Sequence, residues 1–157
     1  MRDYLLKLFA HEQWANRKLL TTLSALPSLP PRTAQLFPHL IGAHEFWFSK
    51  IHGAQVNWWD YNFTPEHSLD ECLALNDDFA VKWAQFISAL PDPLAAQTFA
   101  VTLKNGERVD MRYIDIFTQL HGHSIHHRAQ IIADMRAAGL EPVPQDWLIF
   151  CRETQHP

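Results

Sequence analysis

Glycine is scarce in this sequence, at five residues in 157. Phosphate-cradling loops are missing with it: neither GxGxxG nor a GxxxxGK motif occurs. Cysteine is scarcer still. Cys72 and Cys151 stand alone, which excludes a disulfide framework and a CxxC zinc site and makes a reducing cytoplasm the expected setting. There is no basic excess, since 13 Lys+Arg face 17 Asp+Glu for a net charge of −4. That balance argues against nucleic acid as a partner. No apolar run approaches the ~20 residues that span a bilayer, so no membrane partner is expected. The opening stretch MRDYLLKLFAHEQ is charged every few residues and has no signal-peptide h-region.

What remains is a chain with 47% hydrophobic and 19% charged residues, a composition that excludes a disordered segment. Its length fits a single domain over residues 1–157, large enough to build a core without staples. Ten histidines and six tryptophans stand out.

Apolar periodicity predicts a helix over 3–26, with Leu5, Leu8, Phe9, Ala15, Leu19, Leu23 and Leu26 on its stripe and Asp3 as a cap. The proline-rich run Pro27-Ser28-Leu29-Pro30-Pro31 stops it. A second helix is predicted over 33–52, with Leu36, Leu40, Ala43, Trp47 and Ile51 facing inward and Gly53 as its stop. Pro38 predicts a late start or a kink there. Residues 53–67 read as a loop, and its Trp58, Trp59, Tyr61 and Phe63 suggest that it folds back over the body. Ser68 and Glu71 fit a capping box opening a third helix that ends before Pro91. Alternating residues on both sides of Asn105-Gly106 predict a hairpin over 98–111. A fourth helix is predicted over 112–138, stopped by Gly139, and the tail 145–153 can add a short fifth. The fold class that follows is all-α: a four-helix bundle with a small β-hairpin inserted between helices 3 and 4. The expected core is Leu8, Leu19, Ala43, Trp47, Leu73, Phe79, Trp83, Ile116, Leu120 and Ile131.

The fourth helix carries His121, His123, His126 and His127. With His123 at zero on a helical wheel and the apolar stripe near about +70°, His127 lies at about +40°. His126 falls at about −60° and His121 at about +160°, both off the stripe. His123 and His127 can therefore converge on the interior, and an i,i+4 pair is the spacing at which two ring nitrogens share a metal ion. The competing reading is a solvated histidine face, or two buried rings bonded to neighbours. A third ligand has to come from another helix. His39 and His44 flank the second helix's stripe on opposite edges, and periodicity does not choose between them. His11 reads as a surface or rim histidine, Arg128 as a solvent-side or interface residue, and Cys72 as core.

Three segments resemble the DinB family of damage-inducible, YfiT-like proteins with metalloenzyme character. They are Leu8-Phe9-Ala10-His11-Glu12-Gln13-Trp14-Ala15-Asn16, His39-Leu40-Ile41-Gly42-Ala43-His44-Glu45-Phe46-Trp47, and His123-Ser124-Ile125-His126-His127-Arg128-Ala129-Gln130. They occur in family order and span nearly the whole chain. The resemblance implies a four-helix bundle, a homodimer, and a divalent metal held by His39, His123 and His127. The sequence departs from the family pattern in three places: His44 where an acidic residue is usual, His11 where an aromatic is common, and Ala129 where glycine is common. His44 thus stays a rival ligand.

Three neutral imidazoles would leave a position open on the ion, zinc being expected and nickel or another transition metal also compatible with histidine ligands. Such a position holds water and lowers its pKa towards ~7, or takes a thiolate. Gln130 is placed to orient a ligand or the water, whereas Asp134 is too far along the helix, at ~10 Å from His127. Trp58 and Trp59 are available to wall a pocket. Two functions follow. One is a metal-dependent transferase, using a low-molecular-weight thiol on a small electrophile, or a hydrolase. The other is a non-catalytic metal-binding stress-response protein, favoured if a fourth protein ligand such as His44 closes the site.

Overall fold

Ser68 and Glu71 form the reciprocal pair read from the sequence, and they fix where one helix begins. The Glu71 N–H donates to the Ser68 hydroxyl at 3.2 Å, and the Ser68 N–H donates to the Glu71 carboxylate at 2.8 Å. The computed structural model describes residues 1–30, 32–64 and 66–155. In chain order it contains α1 (Arg2–Ser24), α2 (Thr33–Ile51), α3 (Leu69–Ala89), a 3-10 turn (Leu94–Ala96), β1 (Thr98–Thr102), β2 (Arg108–Arg112), α4 (Tyr113–Ala137) and α5 (Trp147–Gln155). The protein is mostly helical with a small two-stranded antiparallel sheet. Pro31 of the proline stop, Pro65 of the aromatic loop, and His156 and Pro157 lie outside the described residues.

Helix α1 packs on α3 and α4, and α2 packs on the same two. Between them Leu19, Leu20, Phe37, Leu40, Ile41, Trp83, Ile87, Leu120 and Ile131 are almost wholly removed from water. Burying one such side chain contributes roughly 1.5–3 kcal/mol. Of the expected core, Leu19, Ala43, Phe79, Trp83, Ile116, Leu120 and Ile131 are buried. Leu8, Trp47 and Leu73 are only half-buried and pack against the core's edge. The buried side of α2 runs instead through Phe37, Ile41, His44 and Phe46, because this helix is covered from two directions.

Several boundaries differ from the sequence reading, each for a local reason. Helix α1 begins at Arg2, so Asp3 lies in its first turn and complements the helix dipole rather than capping. Helix α2 keeps its predicted start at Thr33, so Pro38 lies inside the helix and does not delay it. Its first turn is held from outside: Asp134 of α4 accepts from both the N–H and the hydroxyl of Thr33, at 3.0 and 2.9 Å. In the hairpin, Val101 faces Val109 as alternation requires. Of the turn residues only Gly106 has positive φ, at 84°. The Gly106 N–H donates to the Leu103 carbonyl and the Leu103 N–H to that of Glu107. This is the pattern of a longer loop with a bulged glycine rather than the two-residue turn that Asn-Gly suggests. The aromatic loop folds back only in part. Tyr61 and Phe63 each lie 5.0 Å from the Phe46 ring, while Trp58 stays 67% exposed.

Candidate metal centre

α4 presents His123 and His127 to α2 one turn apart, and α2 answers with His39. The Nε2 atoms of His39 and His123 lie 3.2 Å apart, and those of His123 and His127 3.1 Å. All three rings are partly buried, and one nitrogen of each lies within 4.8 Å of the other two, so the three could hold a metal ion.

The other ring nitrogens decide which protons are present. His39 Nδ1 is 2.9 Å from the Phe63 carbonyl, which can only accept, so Nδ1 carries the proton and Nε2 a lone pair. His127 Nδ1 donates in the same way to Gln130 Oε1 at 2.9 Å, while the Gln130 amide donates to His126 Nε2 at 2.9 Å. Two lone pairs therefore point at His123 Nε2, which can offer one proton to only one of them. His123 Nδ1 is buried without a hydrogen-bond partner. A cation between the three rings resolves the conflict by accepting all three lone pairs and leaving the His123 proton on Nδ1. Two nitrogens bound tetrahedrally to one zinc ion are roughly 3.3 Å apart, close to the spacing observed. Burial lowers the His123 pKa to about 4, with His127 and His39 acting in the same direction. Burial also lowers that of His127, against a smaller opposing effect of its bond to Gln130. Both shifts favour the neutral imidazole that ligation requires.

His44 stands elsewhere. Trp83 Nε1–H donates to its Nδ1 at 3.0 Å, and since indole only donates, that nitrogen carries a lone pair. The proton is on Nε2, 2.7 Å from Glu12 Oε1. Both nitrogens are engaged, and among the described residues the cluster able to hold a metal contains His39 and not His44. Glu12 is fully buried, and Ser124 donates to the same oxygen at 2.6 Å. Burial alone would raise the Glu12 pKa. The facing His44 ring and its hydrogen bond, the nearby His121 ring and the Arg128 charge outweigh it and hold the carboxyl below the usual range.

Two expectations are corrected here, and a third residue, His121, lies off the stripe as expected. Arg128 is not on the solvent side: it is 2% exposed and donates to Asn16 Oδ1 at 3.0 Å. His11 is not a rim residue either, being 5% exposed with Nε2 donating to the Gln145 carbonyl at 2.8 Å. His121 is off the metal-facing stripe but not in water, with Nδ1 3.7 Å from Glu12 Oε2. His11, on α1, is covered by the segment that carries Gln145, Trp147 and Phe150, whereas Arg128 and His121 share one cause. α4 is covered by α1 as well as α2, so a wheel centred on one stripe misses the second buried flank. Sequence reasoning also missed Glu12, Asn16 and Ser124. The available signal was two i,i+4 polar pairs, Glu12 with Asn16 and Ser124 with Arg128, inside otherwise apolar helices. His126 is exposed, Cys72 is buried, and Asp134 serves α2 rather than the histidines.

Beside the cluster lies a cavity of about 520 Å³, bordered by His39, His123, Trp47, Trp58 and Phe63 among others. Trp59 does not border it and instead borders a neighbouring, smaller one.

The fold and the site define a class: a helical protein with a three-histidine cluster suited to a divalent cation. The chain belongs to the DinB family, whose family model matches residues 1–156. Comparison with curated proteins gives no match. Among the described residues, no helix is long and apolar enough to cross a membrane.

Proposed function

We propose that the chain is a metal-dependent enzyme of the DinB type that binds one divalent ion, zinc being favoured, through His39, His123 and His127. One observation carries this reading: two Nε2 lone pairs, fixed by hydrogen bonds at the opposite ring nitrogens, converge on a third imidazole. Such outer bonds to Nδ1 are what orient metal-binding imidazoles. A divalent ion held there would supply Lewis acidity to a water or a thiol. The chain's own residues do the rest. The Phe63 carbonyl and Gln130 hold two of the rings, and the cavity walls bind the organic partner and exclude water from it.

No fourth His, Cys, Asp or Glu joins the cluster among the described residues, which favours an open, reactive site over a closed storage site. The reaction proposed is transfer of a low-molecular-weight thiol to a small electrophile, or hydrolysis of a small substrate. The architecture proposed is one four-helix-bundle domain over 1–157, working as a cytoplasmic homodimer. Metal analysis of the purified protein, followed by a conjugation screen with several low-molecular-weight thiols, tests the reading. Bound metal with no turnover of any thiol or hydrolysable substrate would favour the non-catalytic stress-response alternative. A monomer in light scattering at high micromolar concentration would remove the dimer.

A further inference from the structure

The cavity beside the histidines has two unlike walls. On one side stand Trp47 from α2 with Trp58 and Phe63 from the following loop, the last two rings 6.3 Å apart and edge to face. On the other, α4 sets Asp115, Gln119 and His123 at successive i,i+4 steps, so that a polar ladder climbs towards the three-histidine cluster. No Lys or Arg is among the described residues lining the cavity. Its one acidic group, Asp115, has both oxygens bonded to Arg112, each at 2.8 Å. A volume of about 520 Å³ lies within the usual range for small-molecule sites, which are apolar with a few placed polar groups. Trp58 is 67% exposed at the cavity wall, a large apolar surface left in water unless a ligand covers it.

The geometry points to a substrate class: a neutral molecule with a flat, aromatic body that lies between Trp58 and α4 and directs one polar group at the three histidines. Ring faces recognise such a body by stacking and edge contacts. The Gln119 amide stands one helical turn from His123, roughly 6 Å along the axis, within reach of a second neutral polar substituent. A carboxylate, sulfonate or phosphate on the distal part of the molecule would meet no unpaired cation, because the Arg112 guanidinium beside Asp115 already has both its contacts there taken by that carboxylate. This inference rests on the proposed function only for the end of the molecule that reacts; the body's recognition is a property of the cavity itself.

The test uses 2-naphthol and 2-naphthalenesulfonate, which share a ring system and differ in charge, titrated calorimetrically into the metal-free and zinc-loaded protein. The expected result is that 2-naphthol binds both forms and the sulfonate binds the metal-free form at least about tenfold more weakly. Trp58→Ala, at an exposed position, should weaken 2-naphthol binding by about tenfold with zinc content and helicity unchanged. Ala43→Leu, which adds bulk to the cavity wall, should weaken it similarly. Equal affinity for the two probes, or unaltered 2-naphthol binding in Trp58→Ala, would overturn the inference. The two readings separate cleanly. Zinc bound without 2-naphthol binding removes this inference and leaves the metal centre standing, whereas 2-naphthol bound without zinc does the reverse.

Discussion

His39 and His44 stand little more than one turn apart on α2 and have opposite surroundings. His44 has a donor on one ring nitrogen and an acceptor on the other, within a buried network that joins α1, α2, α3 and α4 through Glu12, Trp83 and Ser124. His39 has an acceptor on Nδ1 and, on Nε2, a crowd of other imidazole nitrogens. A ring whose two nitrogens are complemented is a structural element, and moving it leaves buried groups unpaired. A ring whose lone pair meets other lone pairs is unfinished until a cation joins it. The difference follows from which nitrogen the neighbours protonate, not from how many histidines are nearby.

The contrast can be broken most sharply at the ligands. His127→Ala should reduce metal affinity by more than the 10–100-fold typical of an outer-shell change, whereas His121→Ala should leave metal content intact. Inductively coupled plasma mass spectrometry of the two variants checks this, and equal loss from both would sink the distinction. His44→Ala should do the converse. It leaves the Trp83 N–H unpaired and the buried Glu12 carboxylate with one donor fewer, at a cost of about 2–5 kcal/mol in urea unfolding. Metal stoichiometry per folded chain should not change.

Between these extremes lies Gln130. Gln130→Ala removes the acceptor that fixes the His127 tautomer, and metal affinity should fall 10–100-fold. Gln130→Glu, which keeps an acceptor, should restore it in a competition titration with a chelator. A loss equally large in both variants would show that the amide acts through packing alone.

The smallest effect concerns pH. The His123 pKa lies at about 4 in the folded protein, below the ~6.5 of an unperturbed histidine. The unfolded chain therefore takes up this proton first as pH falls. Its contribution to the stability of metal-free protein is present above ~6.5 and is lost as pH falls from there through about 4. An NMR titration of the His123 ring, run beside denaturant unfolding, measures both, and a midpoint near 6.5 would contradict the buried environment assigned to it.

Much of this architecture was legible because its signals are local. The Ser68–Glu71 capping box, the Gly53 and Gly139 stops and the alternation around Asn105-Gly106 each depend on a few neighbouring residues. The i,i+4 placement of His123 and His127 was legible for the same reason. His39 was not: on the wheel it tied with His44, and only the family resemblance separated them. Least legible were the second buried flank of α4 and the burial of His11 on α1. Arg128 and His11 look like surface residues by type. Their burial depends on partners distant in sequence, Asn16 for one and the Gln145 carbonyl for the other. The bond that holds the first turn of α2 ahead of Pro38 likewise comes from Asp134, a residue from another helix.

The central claim is that three imidazole Nε2 atoms complete one divalent site without His44. X-ray absorption on the zinc-loaded protein, paired with metal counting of the His39→Ala and His44→Ala variants, tests it most directly. The account predicts one ion per chain, imidazole nitrogens at ~2.0–2.1 Å, loss of the ion in His39→Ala and its retention in His44→Ala. Retention in His39→Ala together with loss in His44→Ala, from protein still folded, would contradict it.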